Sequence, residues 1–219
     1  MALPNDVPGL GISYAKEKGQ VGVIVRQGLP DSHRRQAAWL YWQAFGGKLS
    51  HVLGPEPKAL VFLERVMQAD HCIYAQSDAG DLIGLAGFKT YRGSFSGGGP
   101  DDLKAVYGRF GGSWRGLILR LLQSETDNER FLIDGICVAR EWRGHGVGTA
   151  LIGALFEEGR WRGYPAIRLD VIDANVRAKA LYERLGFTVW RSETLGLLRY
   201  VFGFSRSTTM IRDLRPSQG

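Results

Sequence analysis

The stretch that decides the fold is Phe131 to Thr149, FLIDGICVAREWRGHGVGT, in which a strand pattern leads through a glycine-rich turn into a helix. The segment Phe131 to Val138 is apolar or small except for Asp134, which predicts a buried strand. Gly135 is typical of a bulge, which would change the face to which Asp134 points. A helix after the turn is predicted by an apolar stripe of Leu151, Ile152, Leu155 and Phe156. Gly159 is expected to end it.

The turn at Arg143 to Gly148 is predicted to bind a phosphate group. The first turn of a helix leaves backbone N–H groups unpaired and carries the positive end of the helix dipole, and glycine allows close approach. A P-loop does not fit, because no lysine precedes Thr149. A dinucleotide fingerprint fits badly, because Thr149 occupies the place of the third glycine and the turn comes late in the chain. A merely tight turn is the remaining alternative.

A second motif lies downstream of the turn. Alternating apolar residues predict a strand over Ala166 to Ile172, and Asn175 then leads into a helix that Gly186 is expected to cap. One face of this helix carries Ala178, Leu181, Tyr182 and Leu185.

The two segments together resemble a known family. RGHGVG (Arg143–Gly148) after a buried strand and NVRAKALYERLGF (Asn175–Phe187) are similar to the two characteristic motifs of the GNAT superfamily, the acyl-coenzyme A-dependent N-acyltransferases. The resemblance is sharpest over residues 132–187 and is consistent in element order from Val21 onward.

The resemblance implies a donor site. In that superfamily the first motif grips the pyrophosphate of coenzyme A through backbone N–H groups, and the second contacts the pantetheine arm. Acetyl-coenzyme A is therefore the implied acyl-donor substrate, and no metal is implied. The implied cofactor-binding residues are Ile136, Cys137, Val138, Arg143, Gly144, His145, Gly146, Val147, Gly148, Thr149, Asn175, Ala178 and Tyr182. His145 fills a variable slot of the turn and is expected to face solvent.

The resemblance also implies catalytic groups. An amine must attack the thioester carbonyl, so the oxyanion needs a fixed donor and the thiolate needs a proton. The hydrogen-bond donor to the oxyanion is expected among the backbone N–H groups near Cys137 and Val138. Tyr182, with an ordinary phenol pKa of about 10, is the implied acid, and a half-buried packing aromatic is its alternative. Asp134 is the candidate base; a water chain, or a carboxylate of the N-terminal half such as Asp31, is equally open.

The expected fold class is mixed α/β, of the α+β kind, in a single GNAT-like N-acetyltransferase domain over residues 1–219. A mostly antiparallel sheet is expected to splay around the cofactor, between the strand Phe131 to Val138 and the strand Ala166 to Ile172. Helices are expected on both faces. Residues 91–130 are interpreted as an insertion, and residues from about 213 to 219 as a polar tail.

The N-terminal half is predicted to supply strands and two helices. A strand is expected at Val21 to Arg26. Asp31-Ser32 is expected to cap a helix that Gly46-Gly47 ends, and a second helix follows Pro57. The turn Asp78 to Asp81 predicts an antiparallel hairpin between strands at His71 to Gln76 and Leu82 to Lys89.

The insertion is predicted to contain two short helices, at Asp101 to Phe110 and Trp114 to Leu122. The stripe on the first is Leu103, Val106, Tyr107 and Phe110, which indicates packing on the body of the protein. The insertion is interpreted either as a wall of the acceptor pocket or as a packing elaboration. The segment Trp190 to Arg206, with Tyr200, Phe202 and Phe204, is interpreted as core and acceptor-pocket wall.

Composition limits the remaining classes of protein. The net charge of +6 and the pI near 9.5 favour anionic ligands in general. No apolar run reaches the length of a membrane helix, and the N-terminus lacks a secretory leader pattern, so a cytoplasmic protein without a membrane partner is expected. Cys72 and Cys137 are interpreted as reduced apolar fillers. The four histidines are scattered, so no metal site is expected.

The predicted function is transfer of an acetyl group from acetyl-coenzyme A to a primary amine by direct attack. The acceptor, a small molecule or a protein, is not readable from the sequence. Nucleic acid is an unexpected partner, and a homodimer is allowed. The alternative is a domain that binds acyl-coenzyme A as a sensor or scaffold without catalysis.

Overall fold

The computed structural model describes residues 12–14, 22–122, 129–194 and 205–215, and within these ranges the chain forms one sheet with five α-helices. The strands are β1 (Ile12–Tyr14), β2 (Val23–Gln27), β3 (Cys72–Ser77), β4 (Leu82–Thr90), β5 (Gly93–Ser94), β6 (Phe131–Val138), β7 (Ala166–Ile172), β8 (Thr188–Thr194) and β9 (Arg206–Asp213). The helices are α1 (Arg34–Leu53), α2 (Glu56–Val66), α3 (Pro100–Leu122), α4 (Val147–Trp161) and α5 (Val176–Arg184).

The sheet is mixed and mostly antiparallel. Its order is β1-β2-β3-β4-β6-β7-β9-β8, and β5 pairs with the end of β4. The one parallel pair is β6 with β7, which are in register only at Phe131 with Ile167 and at Leu132 with Arg168. Beyond these positions the two strands diverge. The predicted fold class, including the splay between these two strands, is confirmed.

Helices cover both faces of the sheet. On one face α1, α2 and α3 build an apolar core that includes Tyr41 and Phe62. On the other face α4 packs its stripe, including Leu155, against Phe88 and Phe131. Because β4 is buried on both faces, it reads in sequence as a continuous apolar run rather than an alternation.

Helix α1 does not end at Gly46 and Gly47, contrary to the sequence prediction. The Trp42 ring lies over Gly46, where a Cβ atom would come within 2.9 Å of the indole. The indole Nε1 donates a hydrogen bond of 2.6 Å to Glu56 Oε2, which links α1 to α2. Gly46 therefore makes room for tertiary packing, which overrides the low helix propensity of glycine.

The start of α1 also differs from the prediction. Asp31 and Ser32 belong to a short 3-10 turn, and the N-cap residue is His33, which makes no side-chain capping hydrogen bond. The Asp31 carboxylate instead accepts a hydrogen bond from Arg34 Nε at 3.2 Å. The predicted cap at Asp31-Ser32 is therefore wrong.

Gly159 does not stop α4, which runs to Trp161. A Cβ atom at position 159 would lie 2.7 Å from Leu214 Cδ1 and 3.3 Å from Phe131, so glycine permits close packing there. Gly163 follows the C-cap residue Arg162, and its φ of 78° is the left-handed conformation common just after a helix C-terminus.

The insertion forms α3, which is broken at Gly108 (φ 76°, ψ 171°). Leu103 and Tyr107 are buried before the break, as predicted. Phe110 is 93% exposed, because the break rotates the helix face that follows it. The prediction that Phe110 belongs to the packed stripe is wrong.

Helix α3 holds the C-terminal end of α1. The Tyr107 hydroxyl donates to the carbonyl of Leu53. The Arg115 guanidinium donates to the carbonyls of Val52 (2.7 Å) and Gly54 (3.2 Å) and lies 4.2 Å from the centre of the Tyr107 ring. These bonds satisfy carbonyl groups that the last turn of a helix leaves without an intrahelical partner.

The two neighbouring glycines of α1 should respond oppositely to alanine. Gly47 is exposed, and nothing lies within 4 Å of the position that an alanine methyl group would take, so Gly47→Ala should stabilise the protein by about 0.5–1 kcal/mol. Gly46→Ala should destabilise it by about 1–3 kcal/mol, because the methyl group would overlap the Trp42 ring. Urea unfolding measures both; a destabilising Gly47→Ala would contradict the continuous helix.

Candidate active site

The glycine-rich turn forms the N-terminus of α4. Gly144 (φ 84°) and Gly146 (φ 82°) adopt the left-handed conformation that glycine allows, and Gly146 is the N-cap. Ala150 is the first residue of α4 whose N–H has a carbonyl partner, that of Gly146, at 3.0 Å. The exposed first turn therefore presents free N–H groups at the positive end of the helix dipole.

Two side chains of the turn are fixed by backbone carbonyls. Arg143 Nε donates to the carbonyl of Val138 at 3.1 Å, which ties the turn to the end of β6. His145 Nδ1 lies 3.1 Å from the carbonyl of Arg143, and its ring is exposed, as the sequence predicts. Arg143 thus keeps an exposed guanidinium beside the turn.

Beyond the positions where β6 pairs with β7, one edge of the β6 backbone faces the gap between the two strands. The N–H of Ala139 donates to the carbonyl of Ile83 at 2.9 Å, so it points toward β4. Because N–H directions alternate along a strand, the backbone N–H of Cys137 also points toward β4. The N–H groups of Ile136 and Val138 point into the gap instead. The expectation of an oxyanion donor near Cys137 and Val138 thereby narrows to Val138 and Ile136.

Cys137 has an apolar environment. Its side chain is 3% exposed and lies in the core beneath α1 and α2, and burial raises the pKa of its thiol. Cys72 is buried in the same core, and both cysteines are free thiols. A raised pKa keeps these thiols protonated and unreactive at neutral pH.

Strand β6 contains a bulge at Asp134. Opposite β4, Gly135 pairs with Gly87 and Ile133 pairs with Phe88, so Asp134 has no partner position of its own. Asp134 and Gly135 consequently face the same side of the sheet, toward α1 and β5. The sequence predicted such a bulge from Gly135.

The Asp134 carboxylate is held through one oxygen. Oδ2 accepts hydrogen bonds from Ser94 Oγ (2.9 Å), Ser96 Oγ (2.8 Å) and the N–H of Ser96 (3.1 Å). The Tyr41 hydroxyl donates to Ser96 Oγ at 3.3 Å, and burial, reinforced by the charge of Asp134, raises the pKa of Tyr41. Within the described residues Oδ1 accepts no hydrogen bond, so it is available to a ligand.

Asp134 lies in the wall of a cavity of about 540 Å³ between α1, α2 and the β4–β5 turn. Its apolar wall includes Leu49, Leu53, Phe62 and Leu63. Its polar wall includes Lys89, Thr90, Arg92 and the Ser94–Gly98 loop. The leading loop of the insertion therefore borders this cavity, whereas α3 does not.

Helix α5 brings the second motif to the same gap. Asn175 Oδ1 caps the helix by accepting from the N–H of Ala178 at 3.3 Å. At Gly148, the nearest neighbours of a Cβ atom would be Leu181 (3.6 Å) and Val138 (4.0 Å). The first turn of α4, the end of β6 and α5 therefore meet at one place, as the spacing of the motifs suggested.

Tyr182 occupies the inner side of α5. Its ring packs edge-on against Phe187 with centroids 5.8 Å apart, and burial raises its pKa to about 12. Within the described residues no hydrogen bond to its hydroxyl is found. The phenol is therefore neutral at neutral pH, and its hydroxyl is available as a hydrogen-bond donor.

Sequence reasoning missed several groups of the cavity. The apolar wall from α1 and α2 reads in sequence as ordinary core, and Ser94 and Ser96 sit in a glycine-rich loop whose partner, Asp134, is far away in the chain. The hypothesis of Asp31 as a base lacks support, because Asp31 is exposed, pairs with Arg34 and does not line the cavity.

The aromatic segment near the C-terminus is described only in part. Tyr200, Phe202 and Phe204 lie outside the described residues. Trp190 is 51% exposed on the edge strand β8, with the Arg130 guanidinium 4.6 Å from its ring centre. The interpretation of Trp190 as a core residue is wrong.

In the described ranges there is no group of three or more His, Cys, Asp or Glu side chains able to hold a metal ion. None of the helices in those ranges is long and apolar enough to cross a membrane.

The splayed sheet, the glycine turn at a helix N-terminus and the tyrosine-bearing helix beside the gap define the architecture of the N-acetyltransferases. The sequence model of the acetyltransferase (GNAT) family matches residues 34–187, and the chain belongs to this family. The resemblance on which the sequence prediction rested is confirmed.

Known relatives agree with this assignment. The "Probable N-acetyltransferase camello" of Xenopus tropicalis is 36% identical over 74 residues, which cover 33% of this chain and 34% of that protein. The match thus spans about a third of the length of this curated relative. It supports the expectation of an enzyme of the N-acetyltransferase class.

Solved structures share the fold. An acetyltransferase is similar at 18% identity with a TM-score of 0.59, and the alignment covers 87% of this chain and 99% of that one. An N-acetyltransferase from Staphylococcus aureus Mu50 (17%, 0.59) covers 86% and 99%. An agmatine N-acetyltransferase (16%, 0.58) covers 87% and 99%.

Proposed function

We propose that the protein transfers an acetyl group from acetyl-coenzyme A to a primary amine by direct attack, without a covalent enzyme intermediate. The observation that carries the proposal is the meeting of three features at the β6–β7 gap. These are the backbone of β6 that is not paired with β7, the N–H groups at the start of α4 that have no carbonyl partner among the described residues before Ala150, and helix α5, which carries Tyr182 and brings Leu181 close to Gly148.

The donor is proposed to lie across this gap. Its pyrophosphate binds the N–H groups of Gly144 to Thr149, where the helix dipole favours an anion and Arg143 adds a positive charge. The pantetheine arm runs beside the backbone of Ile136 and Val138. Asn175 can donate to it through its side-chain NH₂ group, while its amide oxygen accepts from the N–H of Ala178 and caps α5.

The reaction is proposed to follow from these positions. The amine nitrogen attacks the thioester carbon, and the N–H of Val138 stabilises the oxyanion that forms. The C–S bond then breaks, the thiolate takes the proton of Tyr182, and Asp134 Oδ1 accepts the amine proton directly or through water. Solvent then takes the proton from Asp134 and restores the proton of Tyr182, which returns both groups to their starting states. With a pKa of about 12, Tyr182 remains protonated at neutral pH.

Coenzyme A should stabilise the fold more than other nucleotides do. At about a hundredfold excess over its Kd, a ligand that binds only the native state raises the free energy of unfolding by about 2.7 kcal/mol. Thermal unfolding with coenzyme A, NAD and ATP at equal concentrations tests this. A larger effect of NAD or ATP would contradict the proposed donor site.

Gly146→Asp should weaken coenzyme A binding about a hundredfold, because it places a carboxylate beside the pyrophosphate. Gly163→Asp is the matched control: it lies at the other end of α4 and has a similar φ and no atom within 4 Å of its Cβ position. Calorimetry on both folded variants separates charge at the turn from backbone strain. Equal affinities in the two variants would refute the phosphate role of the turn.

Tyr182→Phe should lower kcat by about 10²–10⁴-fold, because it removes the acid and keeps the packing against Phe187. Coenzyme A affinity and thermal stability should change little. Pre-steady-state thiol release distinguishes chemistry from product release. A first turnover as fast as in the parent would assign Tyr182 to packing alone. Coenzyme A binding without thiol release from any acceptor would indicate a sensor or scaffold instead of an enzyme.

A further inference from the structure

We propose that the acceptor is an amine that also carries a carboxylate, an amino acid with an apolar side chain, bound in the cavity beneath α1 and α2. This inference names the substrate of the activity proposed above and therefore rests on it. It is carried by the charges of the cavity wall and by their arrangement around one loop.

The first observation is an unpaired cation. Lys89 is half-buried at the end of β4 and lines the cavity. Among the described residues, its ammonium group makes neither an ion pair nor a hydrogen bond. A half-buried charge without a partner is costly, and an anionic ligand group would remove that cost.

The second observation is the position of Lys89 relative to Asp134. Lys89 lies opposite Ser94 in the β4–β5 pair, and Ser94 Oγ donates to Asp134 Oδ2 at 2.9 Å. The cation and the carboxylate thus flank one serine on the same side of the sheet, yet they form no ion pair with each other. A zwitterion can bridge them, with its carboxylate at Lys89 and its amine at the free Oδ1 of Asp134.

The third observation is a second cation at the rim. Arg92 is exposed, its Nε donates to the Tyr91 hydroxyl at 2.8 Å, and no carboxylate of the described residues pairs with it. Its backbone N–H donates to Thr90 Oγ1, which also contacts His71 Nε2 at 3.0 Å. The turn that carries Arg92 is therefore tied to the buried His71.

The remaining walls select the rest of the ligand. Leu49, Leu53, Phe62 and Leu63 offer an apolar surface on the helix side of the cavity. Among the described residues of the cavity wall, Lys89 and Arg92 outnumber the one carboxylate, Asp134, whose Oδ2 already accepts hydrogen bonds. A polyamine would bring positive charge to a net-positive wall, so the arrangement favours an apolar amino acid over a polycation.

The experiment compares phenylalanine, its neutral amide and phenethylamine, which lacks the carboxylate, with agmatine as a polar cation. Thiol release with acetyl-coenzyme A gives kcat/KM for each acceptor. Phenylalanine should exceed phenethylamine and the amide by about 10- to 100-fold, the worth of a charge-assisted hydrogen bond to a carboxylate. Lys89→Met should reduce this preference to about threefold or less. Lys104→Met, which removes an exposed lysine of α3 paired with Asp101, is the charge-matched control and should keep the preference.

Calorimetric binding of the same ligands to the coenzyme A complex provides a readout that does not depend on turnover. Tighter binding of phenylalanine than of phenethylamine, lost in Lys89→Met, supports recognition of the ligand's carboxylate by Lys89, and absence of acetylation in the same protein would then count against the proposed activity rather than against this binding site. Rapid acetylation of phenethylamine or agmatine, with phenylalanine no better, would overturn the acceptor class and leave the proposed activity intact. Coenzyme A affinity and melting temperature of Lys89→Met check that the variant folds. Should it fail to fold, the comparison of acceptors with the parent protein decides alone.

Discussion

The rest of the site depends on the unfinished pairing of β6. This strand is bonded to β4 along its length, but to β7 only at Phe131 and Leu132. Buried backbone groups need partners, so an interior strand with a free edge is stable only where solvent or a ligand can reach it. The divergence of β7 creates that access in the middle of the sheet, and the start of α4 and α5 converge on the same opening.

Because of its bulge, β6 contributes groups to two different regions, the β6–β7 gap and the cavity beneath α1 and α2. By adding Asp134 to one strand only, the bulge turns two successive residues, Asp134 and Gly135, toward α1 and leaves the alternation of the following residues intact. Backbone groups of Ile136 and Val138 therefore face the gap, while the Asp134 carboxylate faces the cavity on the helix side. One strand thus borders both the proposed donor site and the proposed acceptor cavity, as direct transfer between two substrates would require.

Local patterns predicted the elements that local forces determine. The strand Phe131 to Val138 has the bounds that its sequence predicts, and the glycine turn that follows it leads into a helix as expected, although the helix already begins at Val147; apolar runs and glycines at a helix start act over a few residues. The predictions at Gly46 and Phe110 were wrong for non-local reasons: a tryptophan bonded to another helix, and a break at Gly108. The partners of Asp134 were equally hidden, because Ser94 and Ser96 meet it only through the pairing of β4 with both β5 and β6.

The insertion contributes to the cavity in two physically different ways. Its leading loop supplies polar groups directly, since Ser96 holds Asp134 and is held in turn by Tyr41. Helix α3 supports the cavity wall without contributing to its described lining. Tyr107 and Arg115 donate hydrogen bonds to the last carbonyl groups of α1, at and next to Leu53, and Leu53 lines the cavity. Residues 91–130 thus contain a loop that lines the cavity and a helix that packs on the end of α1. Variation in the loop can change which groups meet the acceptor, whereas variation in α3 can change only how firmly the opposite wall is held.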